Sequence, residues 1–166
     1  MNYLGIDKSS ISNGPGVRVV LWVSGCTIHC KGCQNPESWD FCAGKVFDED
    51  AKKELLEVLN KPYIRGITFS GGHPLEKENQ EAIYDLCKEI KDKYPKKDIW
   101  LYTGYNYEFI LSKKILDIIA LCDVVIDGRY IEEQRDITLP FRGSKNQRLI
   151  DVKETLKQGT IITIQN

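Results

Sequence analysis

Apolar positions along this chain recur with two spacings. Val17 to Val23 (Val-Arg-Val-Val-Leu-Trp-Val) is a β-branched run of strand length, broken only by Arg18. Gly66 to Ser70, Asp98 to Thr103 and Asp123 to Asp127 are three further strand-length runs. Each gives way to glycine: Gly71-Gly72 with His73-Pro74, then Gly104, then Gly128. Helical spacing fills the gaps. Asp48 is a good N-cap for a helix through Asn60, with Leu55, Leu56, Val58 and Leu59 on its apolar side. Ile83, Leu86, Cys87, Ile90 and Tyr94 lie on one face of a second helix, from about Lys77 to Tyr94, which Pro95 stops. A third helix is predicted over residues 106–121. Residues 1–16 read as polar and turn-rich, ending in Asn13-Gly14-Pro15-Gly16. Arg148 to Val152 and Thr160 to Ile164 read as two last strands with a short polar segment between them.

Strands alternating with helices of a dozen residues give βαβ units and a parallel sheet with right-handed crossovers. With no linker and no repeat, residues 1–166 read as a single α/β domain. There are too few βα units for an eight-stranded barrel, so the expected shape is an open partial (β/α) barrel of mainly parallel strands. Ligands of such sheets gather at the carboxyl ends of the strands. Four features fall there: the segment after Val23, Gly71-Gly72-His73-Pro74, Thr103-Gly104 and Asp127-Gly128. They face one mouth.

Composition narrows the partners. Of 166 residues, 23 are Lys or Arg and 24 are Asp or Glu, and no basic stripe appears, so neither nucleic acid nor an anionic membrane is expected. No signal peptide pattern opens the chain and no apolar run reaches the ~20 residues of a membrane span, so the expectation is a soluble, cytoplasmic protein. Six cysteines in such a chain argue for metal or cluster chemistry rather than a disulfide framework. Cys87 and Cys122 sit among apolar neighbours and read as ordinary core residues.

Cys26, Cys30 and Cys33 are different. They form a C-x3-C-x2-C triplet within Ser24-Gly-Cys-Thr-Ile-His-Cys-Lys-Gly-Cys-Gln-Asn-Pro36, directly after the first apolar strand. His29 or Cys42 as a fourth ligand would make a zinc shell, but zinc ligands usually come as two separated pairs. Three crowded thiolates suit a cubane iron–sulfur cluster with one iron left open. Trp22, Ile28, Trp39 and Phe41 are placed in sequence to keep the loop dry.

The triplet is the signature of radical S-adenosylmethionine enzymes, and the chain resembles the glycyl-radical activating enzymes among them. The resemblance is strongest to the branch acting on anaerobic (class III) ribonucleoside-triphosphate reductase. It is carried by Gly14-Pro15-Gly16-Val17-Arg18, Ser24 to Glu37, Trp39-Asp40-Phe41, Ser70-Gly71-Gly72-His73-Pro74-Leu75, Tyr102-Thr103-Gly104-Tyr105, Asp127-Gly128-Arg129-Tyr130 and Phe141 to Arg148. It implies a [4Fe-4S] cluster on Cys26, Cys30 and Cys33, with S-adenosylmethionine on the open iron. Reductive cleavage of that cofactor would yield a radical that takes a hydrogen from a glycine of the reductase, so no side chain need act as acid, base or nucleophile. Gly32, Cys33 and Gln34 would pass beside the adenine, Gly71 and Gly72 would approach the ammonium, and Thr103 and Asp127 would contact ribose or amino acid. Relatives usually carry an acidic residue where this chain has His73. A reducing electron donor such as flavodoxin is implied as a second partner; a homodimer, and activation of another glycyl-radical enzyme of the formate-lyase type, are left open. The role of Arg142, Asn146, Gln147 and Arg148 is open between docking the reductase and bracing the sheet edge.

Overall fold

The computed structural model describes residues 1–164. Seven strands form one sheet: β1 (Asn2–Ser10), β2 (Val17–Val23), β3 (Lys45–Val46), β4 (Ile64–Gly71), β5 (Asp98–Tyr102), β6 (Val124–Asp127) and β7 (Arg148–Asp151). Their order is β3-β1-β2-β4-β5-β6-β7. The four central strands β2, β4, β5 and β6 run parallel, while β1, β3 and β7 pair antiparallel at the flanks. Helices α1 (Glu49–Leu59), α2 (Gln80–Lys93), α3 (Lys113–Leu121) and α4 (Val152–Gln158) complete a mixed α/β fold.

The pleat sorts the strands into two faces. Val19, Leu21, Val23, Ile67, Phe69, Ile99, Leu101 and Val125 point to the helices and pack with Leu55, Leu59, Ile83, Leu86, Ile90 and Ile118 in the main core. The alternate residues face the other way. There Trp100, Val124, Ile126 and Leu149 form a second cluster with Tyr102 and Phe141. Arg18 is wholly buried. Its Nε donates to Thr68 Oγ1 at 2.9 Å and its Nη2 to the Ile67 carbonyl at 2.9 Å. Nη2 also pairs with Asp98 at 2.5 Å, and the guanidinium lies 5.2 Å from the Trp100 ring centroid. Burial pulls the Arg18 pKa down and Asp98 opposes it. The one charge that interrupts the first apolar strand is therefore a satisfied buried ion.

Four expectations are corrected. Residues 2–10, read as turn-rich, are β1, whose register on β2 is broken between Tyr3 and Gly5 and between Asp7 and Ser10. Those irregularities and the polar Asp7-Lys8-Ser9-Ser10 hide the period of two. The third helix begins at Lys113, not 106. Before it lies a single 3-10 turn, Tyr107–Phe109, and Leu111 is 89% exposed, so the apolar spacing there does not mark one buried face. The polar segment after Asp151 is α4, capped by the Asp151 carboxylate accepting from Glu154 N at 3.0 Å. Thr160 to Ile164 makes only a single bridge, Thr163 to Ile150, instead of a strand. The second helix starts at Gln80 rather than Lys77 and the two-residue β3 has no forerunner in the spacing; the other elements lie near where the spacing put them, and the Asp48 cap accepts from Ala51 N at 2.9 Å.

Candidate active site

At the carboxyl ends of the parallel strands lies a cavity of about 460 Å³. Its floor is made by the non-helix face: Trp22 from β2, Ser70 from β4 and Tyr102 from β5. Cys26, Cys30 and Cys33 border it, and all six cysteines of the chain are free thiols. The loop is folded on itself by main-chain bonds from Gly25 N to Ser38 O and from Cys26 N to Trp39 O. Burial pushes the Cys26 thiol up, opposed by the backbone amides of Ile28 and His29. Asn35 N donates to Cys33 Sγ at 3.4 Å. Backbone N–H groups turned toward sulfur are what thiolates bound to iron require.

A buried polar chain braces this loop from below. Glu76 Oε1 accepts from Thr27 N at 2.8 Å and from Thr27 Oγ1 at 2.7 Å. It also takes His73 Nδ1 at 3.3 Å, and His73 Nε2 meets Thr103 Oγ1 at 2.8 Å. Because a carboxylate only accepts, Nδ1 is the donor of the first bond, and the ring bridges Glu76 to Thr103. Burial would raise the Glu76 pKa, but His73 and the two Thr27 donors outweigh it and bring it to about 2. Asn79 Nδ2 adds bonds to the Ser24 and His73 carbonyls at 2.9 and 3.1 Å. Glu76 and Asn79, both buried, were not singled out in the sequence. Their position shortly after Gly71-Gly72 was the available signal.

The remaining expected site residues divide. Gln34, Gly71, Gly72 and Thr103 line the cavity with the three cysteines. A Cβ on Gly71 would sit 2.6 Å from Val23 O, and one on Gly72 would sit 2.6 Å from Gly25 O. The glycines are thus needed first so that the strand can touch the cysteine loop. Gly32 faces outward instead, where a Cβ would strike the Glu132 carboxylate. Asp127 is absent from the cavity wall and 1% exposed. Its oxygens are occupied by Arg148, whose Nε donates at 3.0 Å and whose Nη2 also pairs with it, and by Tyr107 N at 2.9 Å. Held three ways and buried away from the cavity, this carboxylate serves the protein in the ligand-free structure. Trp22, Ile28 and Trp39 do wall the cavity, whereas Phe41 packs against Gly25. His29 stacks on Trp39 with ring centroids 4.4 Å apart, and Cys42 is exposed outside the cavity.

Comparison with known proteins agrees with this geometry. A family described as "4Fe-4S single cluster domain" matches residues 12–150. The anaerobic ribonucleoside-triphosphate reductase-activating protein of Enterobacteria phage T4 is 45% identical over 149 residues, 90% of this chain and 93% of the relative. The proteins of that name from Haemophilus influenzae and Escherichia coli strain K12 are 42% and 36% identical, each over 89% of this chain and 96% of the relative. The chain belongs to this family of activating proteins.

The residues fit the 4Fe-4S cluster named in the description of the matching family. Among the described residues no three Cys, His, Asp or Glu side chains converge on one point, as a mononuclear site demands. A cubane spreads its thiolates over separate irons, and three free thiols bordering one cavity, with Asn35 N donating to the Cys33 sulfur, are a donor set it can use. Trp39 Nε1, buried and without a partner, adds a spare donor on the same wall. No helix among the described residues is long and apolar enough to cross a membrane.

Proposed function

We propose that this chain is a radical S-adenosylmethionine activase that installs a glycyl radical on anaerobic ribonucleoside-triphosphate reductase. The observation that carries the reading is the meeting of the three free thiols with Gln34, Gly71, Gly72 and Thr103 around one cavity. Cys26, Cys30 and Cys33 would hold the [4Fe-4S] cluster, one thiolate per iron. Bound there, the cluster would supply the single electron for reductive cleavage of S-adenosylmethionine, and with it the means to take a hydrogen atom from a reductase glycine.

The protein's own work is placement and exclusion of water. Glu76 and His73 fix the height of the cysteine loop against β4 and β5. Trp22, Ile28 and Trp39 form an apolar wall beside the thiols, and the Gly71 and Gly72 backbone is presented on the cavity wall for an ammonium. Gln34 lies on the cavity side of the loop for the adenine, and Thr103, held by His73 Nε2 and accepting from Tyr105 N, borders the same cavity. Gly32 and Asp127 act through the protein, in loop packing and in holding Arg148.

In this reading the sheet, with helices on one face and the cavity on the other, is an open partial barrel of radical S-adenosylmethionine type. The 1–166 chain is one domain working in the cytoplasm, with a reducing donor of the flavodoxin kind. The test is anaerobic reconstitution with iron and sulfide. The protein should gain a broad visible band and, with dithionite and S-adenosylmethionine, release 5′-deoxyadenosine. Stoichiometric zinc and no nucleoside would make it a metal-binding module instead.

A further inference from the structure

Residues 141–148 form a bracket in which every side chain but one has a structural reason. Gln147 Oε1 accepts from Gly143 N at 3.0 Å and Ser144 N at 3.2 Å, while its Nε2 donates to Gly128 O at 3.0 Å. Asn146 Nδ2 donates to Arg129 O at 2.8 Å, although its Oδ1 is buried without a partner among the described residues. Arg148 holds Asp127 and forms a two-pronged pair with Glu108 at 2.7 and 2.8 Å. Ser144 is wholly buried and its Oγ accepts from Ile131 N at 3.2 Å. Phe141 packs edge-on against Trp100 with centroids 5.5 Å apart, and its carbonyl accepts from Tyr102 Oη at 2.5 Å. Burial pushes the Tyr102 pKa up to about 12, so that hydroxyl stays a donor. Lys145 is exposed and lies near Asp136 at 3.8 Å.

Arg142 is the exception. It lines the cavity, has no hydrogen bond or ion pair among the described residues, and its Nε is buried with no acceptor. The residue before it, Phe141, is held at φ 59, a conformation that non-glycine residues adopt only when their surroundings impose it. The backbone corner and the bracket together fix the point from which Arg142 enters the mouth. An Nε–H left unpaired in a protein wall is unfavourable unless a ligand supplies the acceptor.

We propose that Arg142 is a ligand-binding residue whose guanidinium takes an oxygen acceptor, a carboxylate or carbonyl, of the molecule that fills this cavity. Two sources carry that chemistry: the amino-acid end of the sulfonium nucleoside, and the glycine-bearing polypeptide beside its reacting residue. The planar fork matters, because Nε and Nη together suit an oxygen pair that an ammonium cannot match. The inference rests on the activase reading of the cavity.

The experiment compares cluster-loaded wild type, Arg142→Gln and Arg142→Lys under anaerobic conditions. Three quantities are measured: the melting temperature, S-adenosylmethionine affinity by equilibrium dialysis, and KM for the reductase from its glycyl signal. Because Arg142 supports no internal contact, Arg142→Gln should melt no lower than wild type. It should weaken one binding step by about 10- to 100-fold, with Arg142→Lys recovering only part. Loss of nucleoside affinity assigns the acceptor to the nucleoside; unchanged affinity with a raised KM for the reductase assigns it to the polypeptide. If wild type works and neither quantity moves in Arg142→Gln, the inference fails while the activase reading stands. A lowered melting temperature with both steps equally impaired makes Arg142 structural and also overturns it. Wild type that releases no 5′-deoxyadenosine fails the activase reading itself.

Discussion

Glu76 carries more of the site than its place in the sequence suggests. One oxygen gathers the Thr27 amide, the Thr27 hydroxyl and His73 Nδ1. Removing it leaves the buried His73 Nδ1 and the two donors of the exposed Thr27 without their acceptor, so Glu76→Ala should lower the stability of the cluster-free protein by on the order of 2 kcal/mol in urea unfolding. His73, the departure from the acidic residue expected there, is the middle of this chain and joins Glu76 to Thr103. At the thiols, Cys42→Ala should keep full iron content and nucleoside cleavage, whereas Cys30→Ala should lose both; iron lost from the Cys42 variant would put the ligand set elsewhere. The cysteine triplet was legible because its spacing is local and the strand before it is plain. The pairing of Asp127 was not legible because its partner Arg148 lies 21 residues away, and nothing local records it. Glu76 and Arg142 went unassigned for the same reason: one is defined by a loop 49 residues upstream and the other by having no partner.

Between elements, Asp123 ties three pieces together, α2, α4 and β5. Its carboxylate takes Lys91 of α2 at 2.5 Å, Lys153 of α4 at 2.7 Å and the Ile99 amide of β5 at 2.8 Å, and its carbonyl takes Val152 N. Burial would raise its pKa, but Lys153, Lys91 and the Ile99 amide outweigh that and hold it below the ordinary carboxylate value. A depressed folded pKa stabilises the fold above the unfolded value and ceases to do so as pH falls through the folded one. Asp123→Asn should therefore cost about 2 kcal/mol at pH 7, discounted for the exposed Lys153 arm. The gap to wild type should close as pH falls below ~4, and a gap constant down to pH 2 would show that charge is not involved. The parallel elements were readable because each is a dense apolar run or a clean helical period. β1 and α4 were not: β1 is irregular in register, and α4 is mostly polar with only Val152 and Thr155 buried.

Over the whole molecule, the pleat divides the labour. One face packs on the helices and supplies the main core, while the other supplies the cavity floor through Trp22, Ser70 and Tyr102. Parallel strands end together, which brings loops distant in sequence to one mouth, and that much followed from strand order alone. The antiparallel flanks could not be read that way, since pairing direction leaves no local trace at a polar edge. The most direct test of the central claim is electron paramagnetic resonance of anaerobic ribonucleoside-triphosphate reductase incubated with the cluster-loaded protein, a one-electron reductant and S-adenosylmethionine. A glycyl signal that needs all three components and vanishes with Cys30→Ala is the predicted result. A protein that binds its cluster and cleaves S-adenosylmethionine, yet leaves the reductase without that signal, would contradict the account.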